Sequence, residues 1–226
     1  MPEFYFFIIF YIVISVVIPY LVCGINSDVI AKKLTEGEYS RKTMAVALFF
    51  DMLKGIASIR LIILFLHIVF YDSVFCGCTE HYLQDTGRNA AFHFHTGFIY
   101  FCMWFGSMSG VLGHYYRGYS KSKGRRAVIV ALAAGLVINW LAALIALSVF
   151  ILMVLITRYV SLSTVVTAIS YVFAVWLTEL YVWNHGNSGL DYASIGTVFC
   201  GIIAVILILN QIGSIKGKLS HGKQKQ

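Results

Sequence analysis

Charge is scarce in this chain. Only 12% of its 226 residues are Asp, Glu, Lys or Arg, against about 25% in an ordinary soluble domain. That shortage excludes a water-solvated globule with an ionic surface. Hydrophobic residues make up 59% of the sequence and the mean hydropathy is +0.81. Long apolar runs with no polar face suit lipid and not water. No basic residue precedes the first run, Phe4 to Val22. It lacks the charged start, short core and small-residue cut site of a cleaved signal peptide, and it reads as a retained span with its N-terminus outside. No internal repeat and no second domain is visible, so residues 1–226 read as one transmembrane helical domain, with 215–226 as a basic, frayed cytoplasmic tail.

The cations that exist are unevenly placed. Lys32, Lys33, Arg41 and Lys42 fall in one hydrophilic break. Arg117, Lys121, Lys123, Arg125 and Arg126 fall in another, Arg158 in a third, and Lys216, Lys218, Lys223 and Lys225 in the last. Only Arg88 lies in a break on the opposite side, while Lys54 and Arg60 sit inside an apolar run. Positive charge near span ends stays cytoplasmic. A hydrocarbon layer of about 30 Å needs roughly 20 apolar residues per helix. Together these rules predict an all-α, polytopic membrane protein of seven transmembrane helices, N-terminus outside and C-terminus cytoplasmic. The spans run from Phe4 to Cys23, Met44 to Phe70, Thr96 to Leu112, Ala127 to Ile138, Leu141 to Thr157, Leu162 to Val182 and Tyr192 to Asn210. The stretch Ala127 to Ile156 is too long for one span, and Asn139-Trp140 interrupts it. Two short helices there keep Arg158 inside. The net charge of +7 is read as topogenic charge against anionic headgroups, with no nucleic-acid partner.

Several polar residues stand out against this background. The inner loop from Gly113 to Arg126 combines glycines, two serines and five cations, then enters a helix. Glycine lets backbone N–H groups approach an anion, a helix N-terminus adds partial positive charge, and Lys and Arg form charge-assisted bonds to phosphate. It reads as a phosphate loop, or more plainly as a topogenic loop on lipid headgroups. Asp51 and Lys54, three residues apart inside the second span, share a helix face. They form the wall of a polar site or a structural ion pair, and Gly55 beside them permits close helix approach. Thr157-Arg158-Tyr159-Val160-Ser161 makes a tight inner turn in which Ser161 can cap the following helix. Five cysteines are present. Cys23, Cys102 and Cys200 lie in or beside apolar runs as small hydrophobes. Cys76, Cys78, His81, His93 and His95 share an outer loop, but Cys-x-Cys is tighter than zinc-site spacing. No metal and no cofactor is expected.

These residues, in order, resemble the bacterial acyl-phosphate-dependent glycerol-3-phosphate acyltransferase family. Ile18-Pro19-Tyr20 is similar to its first-span Ile-Pro. Asp51-Met52-Leu53-Lys54-Gly55 is similar to its Asp-x-x-Lys-Gly. Gly113-His114, Lys123-Gly124 and Thr157-Arg158-Tyr159-Val160-Ser161-Leu162 match further motifs. The chain departs from the pattern in its first loop, Gly24 to Met44, which lacks the Gly-Ser-Gly-Asn string and keeps Asn26, Ser27 and Asp28 as a remnant. The Pro after Gly-His is missing, and Gln211 stands where the family has a His.

The resemblance implies a seven-helix enzyme of the bacterial inner membrane that moves a fatty acyl group from acyl phosphate to glycerol 3-phosphate, yielding lysophosphatidate for phospholipid synthesis. It would assign catalysis to His114 and Lys123. Substrate binding would fall to Asp51, Lys54, Gly113, Lys121, Gly124, Arg125, Arg158 and Ser161. No Ser-His-Asp or Cys-His arrangement is legible and none is required, because acyl phosphate is already activated and positioning supplies much of the acceleration. A non-catalytic relative that binds phospholipid or acyl phosphate, or regulates an acyltransferase, is the alternative. A small transporter is a third, with no symmetry-related second half to support it. Sequence alone leaves the oligomeric state open.

Overall fold

A computed structural model describes residues 2–35, 41–69, 88–117, 126–185 and 192–223. Among the described residues there are eight helices and no strand: α1 (Pro2–Cys23), α2 (Ser27–Leu34), α3 (Arg41–Val69), α4 (Arg88–Arg117), α5 (Ala127–Ile138), α6 (Trp140–Thr157), α7 (Val160–His185) and α8 (Tyr192–Lys223). Three stretches, Ile8–Leu34, Trp140–Thr157 and Val160–Tyr181, are long and apolar enough to cross a membrane, and Ala127–Ile138 and Ile195–Leu209 form shorter apolar helices.

The outside of the bundle carries many exposed apolar side chains. Ile9, Phe10, Val13, Val17 and Leu21 on α1 are exposed, as are Leu152, Leu155 and Ile156 on α6, and Val198, Val205 and Leu209 on α8. A contiguous apolar exterior of this extent marks a lipid-facing surface. Inside, Trp104, Val111, Val128, Tyr171, Val175, Cys200 and Ile203 gather one core cluster from α4, α5, α7 and α8. Tyr11, Ile59, Ile62, Leu66, Cys102 and Met103 form a second one between α1, α3 and α4.

The helix break expected at Asn139 is present, and its cause is visible. Asn139 leaves the helical region at φ −143°, ψ 84°. Its side-chain oxygen accepts from the Ala142 amide at 3.2 Å, capping α6, and Nδ2 donates to Thr178 Oγ1 of α7 at 2.7 Å. An Asn side chain that serves a cap and a neighbouring helix at once favours the break over a continuous helix. The second turn, at Arg158, is closed by a left-handed residue at φ 56°.

Two features differ from the sequence expectation. The first loop contains α2, an eight-residue amphipathic helix. Asn26 accepts from the Asp28 amide at 3.0 Å, Asp28 lies in the first turn, and Lys32 and Lys33 lie in the last. Each complements the helix dipole. At the other end of the chain, α8 continues through Lys223, beyond Asn210 and into residues 215–226, the expected frayed tail. Extending a long helix costs no new nucleation, so polar residues can be carried past the apolar run.

α4 lies close against α1. A Cβ on Gly113 would meet the backbone of Tyr20, and one on Gly110 would stand 3.1 Å from Cys23 Sγ. Ser109 Oγ adds a hydrogen bond to the Val16 carbonyl at 2.5 Å. α3 approaches α5 in the same way at Gly55, where a Cβ would stand 2.8 Å from both Ala133 Cβ and the Val130 carbonyl. Small residues at such crossings let backbones meet without lateral strain.

Candidate functional site

At one end of the bundle, α1, α2, α3, α4 and α5 bring a set of polar side chains together. Asp51 of α3 is its centre and is fully buried. A carboxylate in such a place is costly unless it is paired and hydrogen-bonded. Oδ1 accepts from Ser27 Oγ at 2.6 Å and pairs with Lys54 Nζ at 2.8 Å. Oδ2 faces Arg126 Nη1 at 3.6 Å and accepts no hydrogen bond.

Lys54 is used up by this arrangement. Besides Asp51, its ammonium donates to the Ile25 carbonyl at 2.8 Å and to the Cys23 carbonyl at 3.4 Å. A lysine has three protons to give. Here they go to one carboxylate and to carbonyls at the end of α1, where a helix leaves acceptors unsatisfied and favours positive charge. Lys54 therefore pins the α1–α2 corner onto α3.

Two further groups complete the cluster. His114, on the last turn of α4 beyond the apolar run ending at Leu112, places Nδ1 3.8 Å from Asp51 Oδ1. Burial pushes the imidazole pKa below its ordinary value, with Asp51 pulling the other way and Lys54 and Arg126 adding to the fall. Arg126 stands at the N-cap position of α5. Its Nη2 bonds both oxygens of Asp28, at 2.6 and 2.7 Å. Two carboxylates thus face two cations, Lys54 and Arg126, and the cluster is formally neutral while His114 is uncharged. Chemically this is a buried, hydrogen-bonded seat with one guanidinium at its edge, at the mouth of the basic loop that precedes α5.

Of the residues singled out in the sequence, Asp51, Lys54 and His114 converge here. Gly113 is beside them, seated on Tyr20 of α1. Lys121, Lys123, Gly124 and Arg125 lie outside the described residues, as do Cys76, Cys78 and His81; His93 and His95 fall within α4. Arg158 sits in the α6–α7 turn and Ser161 is the second residue of α7, and no hydrogen bond or ion pair among the described residues joins them to Asp51. Ser161 thus lies past the N-cap position of α7, and Ser163 Oγ donates to the Tyr159 carbonyl at 3.0 Å within the helix's first turn. In the sequence Arg126 is one cation among five, and Ser27 and Asp28 read as a remnant of a longer motif. The cue was the Asn26-Ser27-Asp28 cap ahead of an amphipathic segment.

The fold and this cluster define an all-helical membrane protein with a polar site at one rim. The glycerol-3-phosphate acyltransferase family profile matches residues 37–221, and the chain belongs to that family. It is 30% identical over 121 residues to a glycerol-3-phosphate acyltransferase of Chlorobaculum parvum, covering 48% of this chain and 51% of that protein. It is 30% identical over 136 residues to the one from Chlorobaculum tepidum, covering 52% of this chain and 58% of that protein. The chain thus spans a little over half the length of these curated relatives. No solved structure matches significantly.

Proposed function

We propose that the protein is a membrane acyltransferase that moves a fatty acyl group from acyl phosphate to glycerol 3-phosphate at the inner face of a bacterial cell membrane. The observation that carries this reading is the convergence of His114 and Arg126, which flank the basic loop, on the buried Asp51–Lys54 pair. Family membership supplies the reaction class. The seven-span topology with the N-terminus outside belongs to the same reading, because it puts this rim and all four basic breaks on one side.

The chemistry asks little of covalent catalysis. The 1-hydroxyl oxygen of glycerol 3-phosphate bonds the acyl carbon, the bond from that carbon to the phosphate oxygen breaks, and inorganic phosphate departs. Lys121, Lys123 and Arg125 would hold phosphate oxygens, and backbone N–H groups near Gly124 would meet the developing oxyanion. His114, kept toward its neutral form by burial, is suited to position the hydroxyl and take its proton. Arg158 and Ser161 would serve the substrate at the neighbouring turn. Pre-organising both reactants at the membrane surface can account for much of the acceleration.

Purified full-length protein given labelled acyl phosphate and glycerol 3-phosphate should form lysophosphatidate and release phosphate. No product, under conditions where a family member works, overturns the reading. The shortened first loop favours one alternative, a non-catalytic relative that binds phosphate-bearing lipid; it predicts retention of the labelled donor without turnover.

A further inference from the structure

Asp28 holds the position on Arg126 that an anionic ligand would take. Its two carboxylate oxygens lie 2.6 and 2.7 Å from Nη2 of Arg126, the spacing of a phosphate on a guanidinium. The same guanidinium lies 3.6 Å from Asp51 Oδ2. The two carboxylates differ in access, since the Asp51 side chain is 0% exposed and that of Asp28 is 17% exposed. Asp51 is also tied down by Ser27 and Lys54. Asp28 rides on α2, an eight-residue helix, and keeps part of its side chain exposed.

Resting on the acyl-transfer reading above, we propose that Asp28 is a specificity-determining residue: an internal carboxylate on Arg126 that a dianionic phosphate displaces and that monoanions do not. The argument is one of charge. While Asp28 is seated, the Arg126 guanidinium already carries a carboxylate, and an incoming anion must displace it. Exchanging a single negative charge for another single negative charge gains nothing and loses an intramolecular contact. Exchanging it for a doubly charged phosphate, as in acyl phosphate, glycerol 3-phosphate or free phosphate, leaves a stronger pair on Arg126. Asp51 Oδ2 stays behind the guanidinium and keeps it aimed during the exchange. The returning carboxylate then helps expel the phosphate released by the reaction.

The test uses the full-length protein in nanodiscs, with binding read separately from turnover. Inorganic phosphate at pH 8, mostly dianionic, is titrated against dimethyl phosphate, a monoanion of similar shape. Asp28→Asn should tighten phosphate by about tenfold and admit dimethyl phosphate, while Asp28→Glu should keep the selectivity of the unaltered protein. Unchanged or weaker phosphate binding in Asp28→Asn overturns the proposal. If Asp28→Asn does not fold, the unaltered protein decides. Phosphate should protect Arg126 from phenylglyoxal and dimethyl phosphate should not; equal protection by both, or by neither, overturns the proposal. Lysophosphatidate formation is measured in parallel. Turnover without the Asp28 effect sinks this inference and leaves the activity standing, and the Asp28 effect without turnover does the reverse.

Discussion

The Tyr100 hydroxyl donates to the Glu179 carboxylate at 2.5 Å, tying α4 to α7 in the half of the bundle away from Asp51. Thr197 Oγ1 of α8 donates to the other carboxylate oxygen at 3.1 Å. A Cβ on Gly196 would strike Glu179 Oε1, so the three helices meet at that carboxyl. Glu179→Ala should therefore lower the unfolding midpoint in detergent, by the equivalent of about 1–3 kcal/mol for stranded hydroxyls. Glu179→Gln, which keeps acceptors on one side, should lose less. Equal midpoints for Glu179→Ala and the unaltered protein would remove Glu179 from the account of stability.

Lys54→Met should cost more. It leaves Asp51 buried without its shortest cation and leaves the carbonyls of Cys23 and Ile25 without their donor. Removing one partner of a buried pair costs about 3–5 kcal/mol. The double variant Asp51→Asn with Lys54→Met should recover part of that loss in a denaturant titration. Strict additivity of the two single changes would mean the pair does not interact.

Gly113→Ala tests whether this glycine is there for packing. Its Cβ would press on the backbone of Tyr20, which has no rotamer to move out of the way. Overpacking of this kind costs about 1–3 kcal/mol. The thermal midpoint should fall, and α1–α4 crosslinking yields between introduced cysteines should fall with it.

His114 sets a pH dependence. Burial holds its folded-state pKa below the ordinary 6.5, so the unfolded chain binds the extra proton first. Stability from this group is full above about pH 6.5 and declines as pH drops toward the folded value. Asp51, Lys54, Arg126 and Asp28 all face the same cluster, so the slope belongs to the group and not to one side chain alone. His114→Gln should flatten the midpoint-against-pH curve below about pH 6.5. A curve that keeps its slope would assign it elsewhere.

The catalytic proposal separates two lysines. Lys123→Ala should reduce kcat/KM for acyl transfer by about 10²-fold or more. Lys33→Ala, on the last turn of α2, should leave it within about twofold, as expected for a solvated rim charge. Impermeant labelling from one side of the membrane should reach both. Reaction of the two from opposite sides would dissolve the single-faced site.

Hydropathy located the helices because apolar runs of this length have few other ways to satisfy their backbone. The break at Asn139 was legible for the same reason, a polar residue in the middle of a run too long for one span. α2 was not legible. A helix of eight residues is marginal alone and exists here because Ser27 and Asp28 are bonded to α3 and α5. The Asp51–Lys54 pair was visible as spacing, but its partners were not. Asp28 and Arg126 are 98 positions apart, and no local pattern links them.

Sequence alone determined that this chain lives in lipid, how its apolar segments are cut, and which family motifs it carries, since these depend on composition and short-range order. Tertiary structure decided which charges meet. Lys54 went to the end of α1, Gly113 to Tyr20, and Asp28 to Arg126. A buried charge takes whatever partner the packing of distant helices delivers, and that is settled only when the bundle closes.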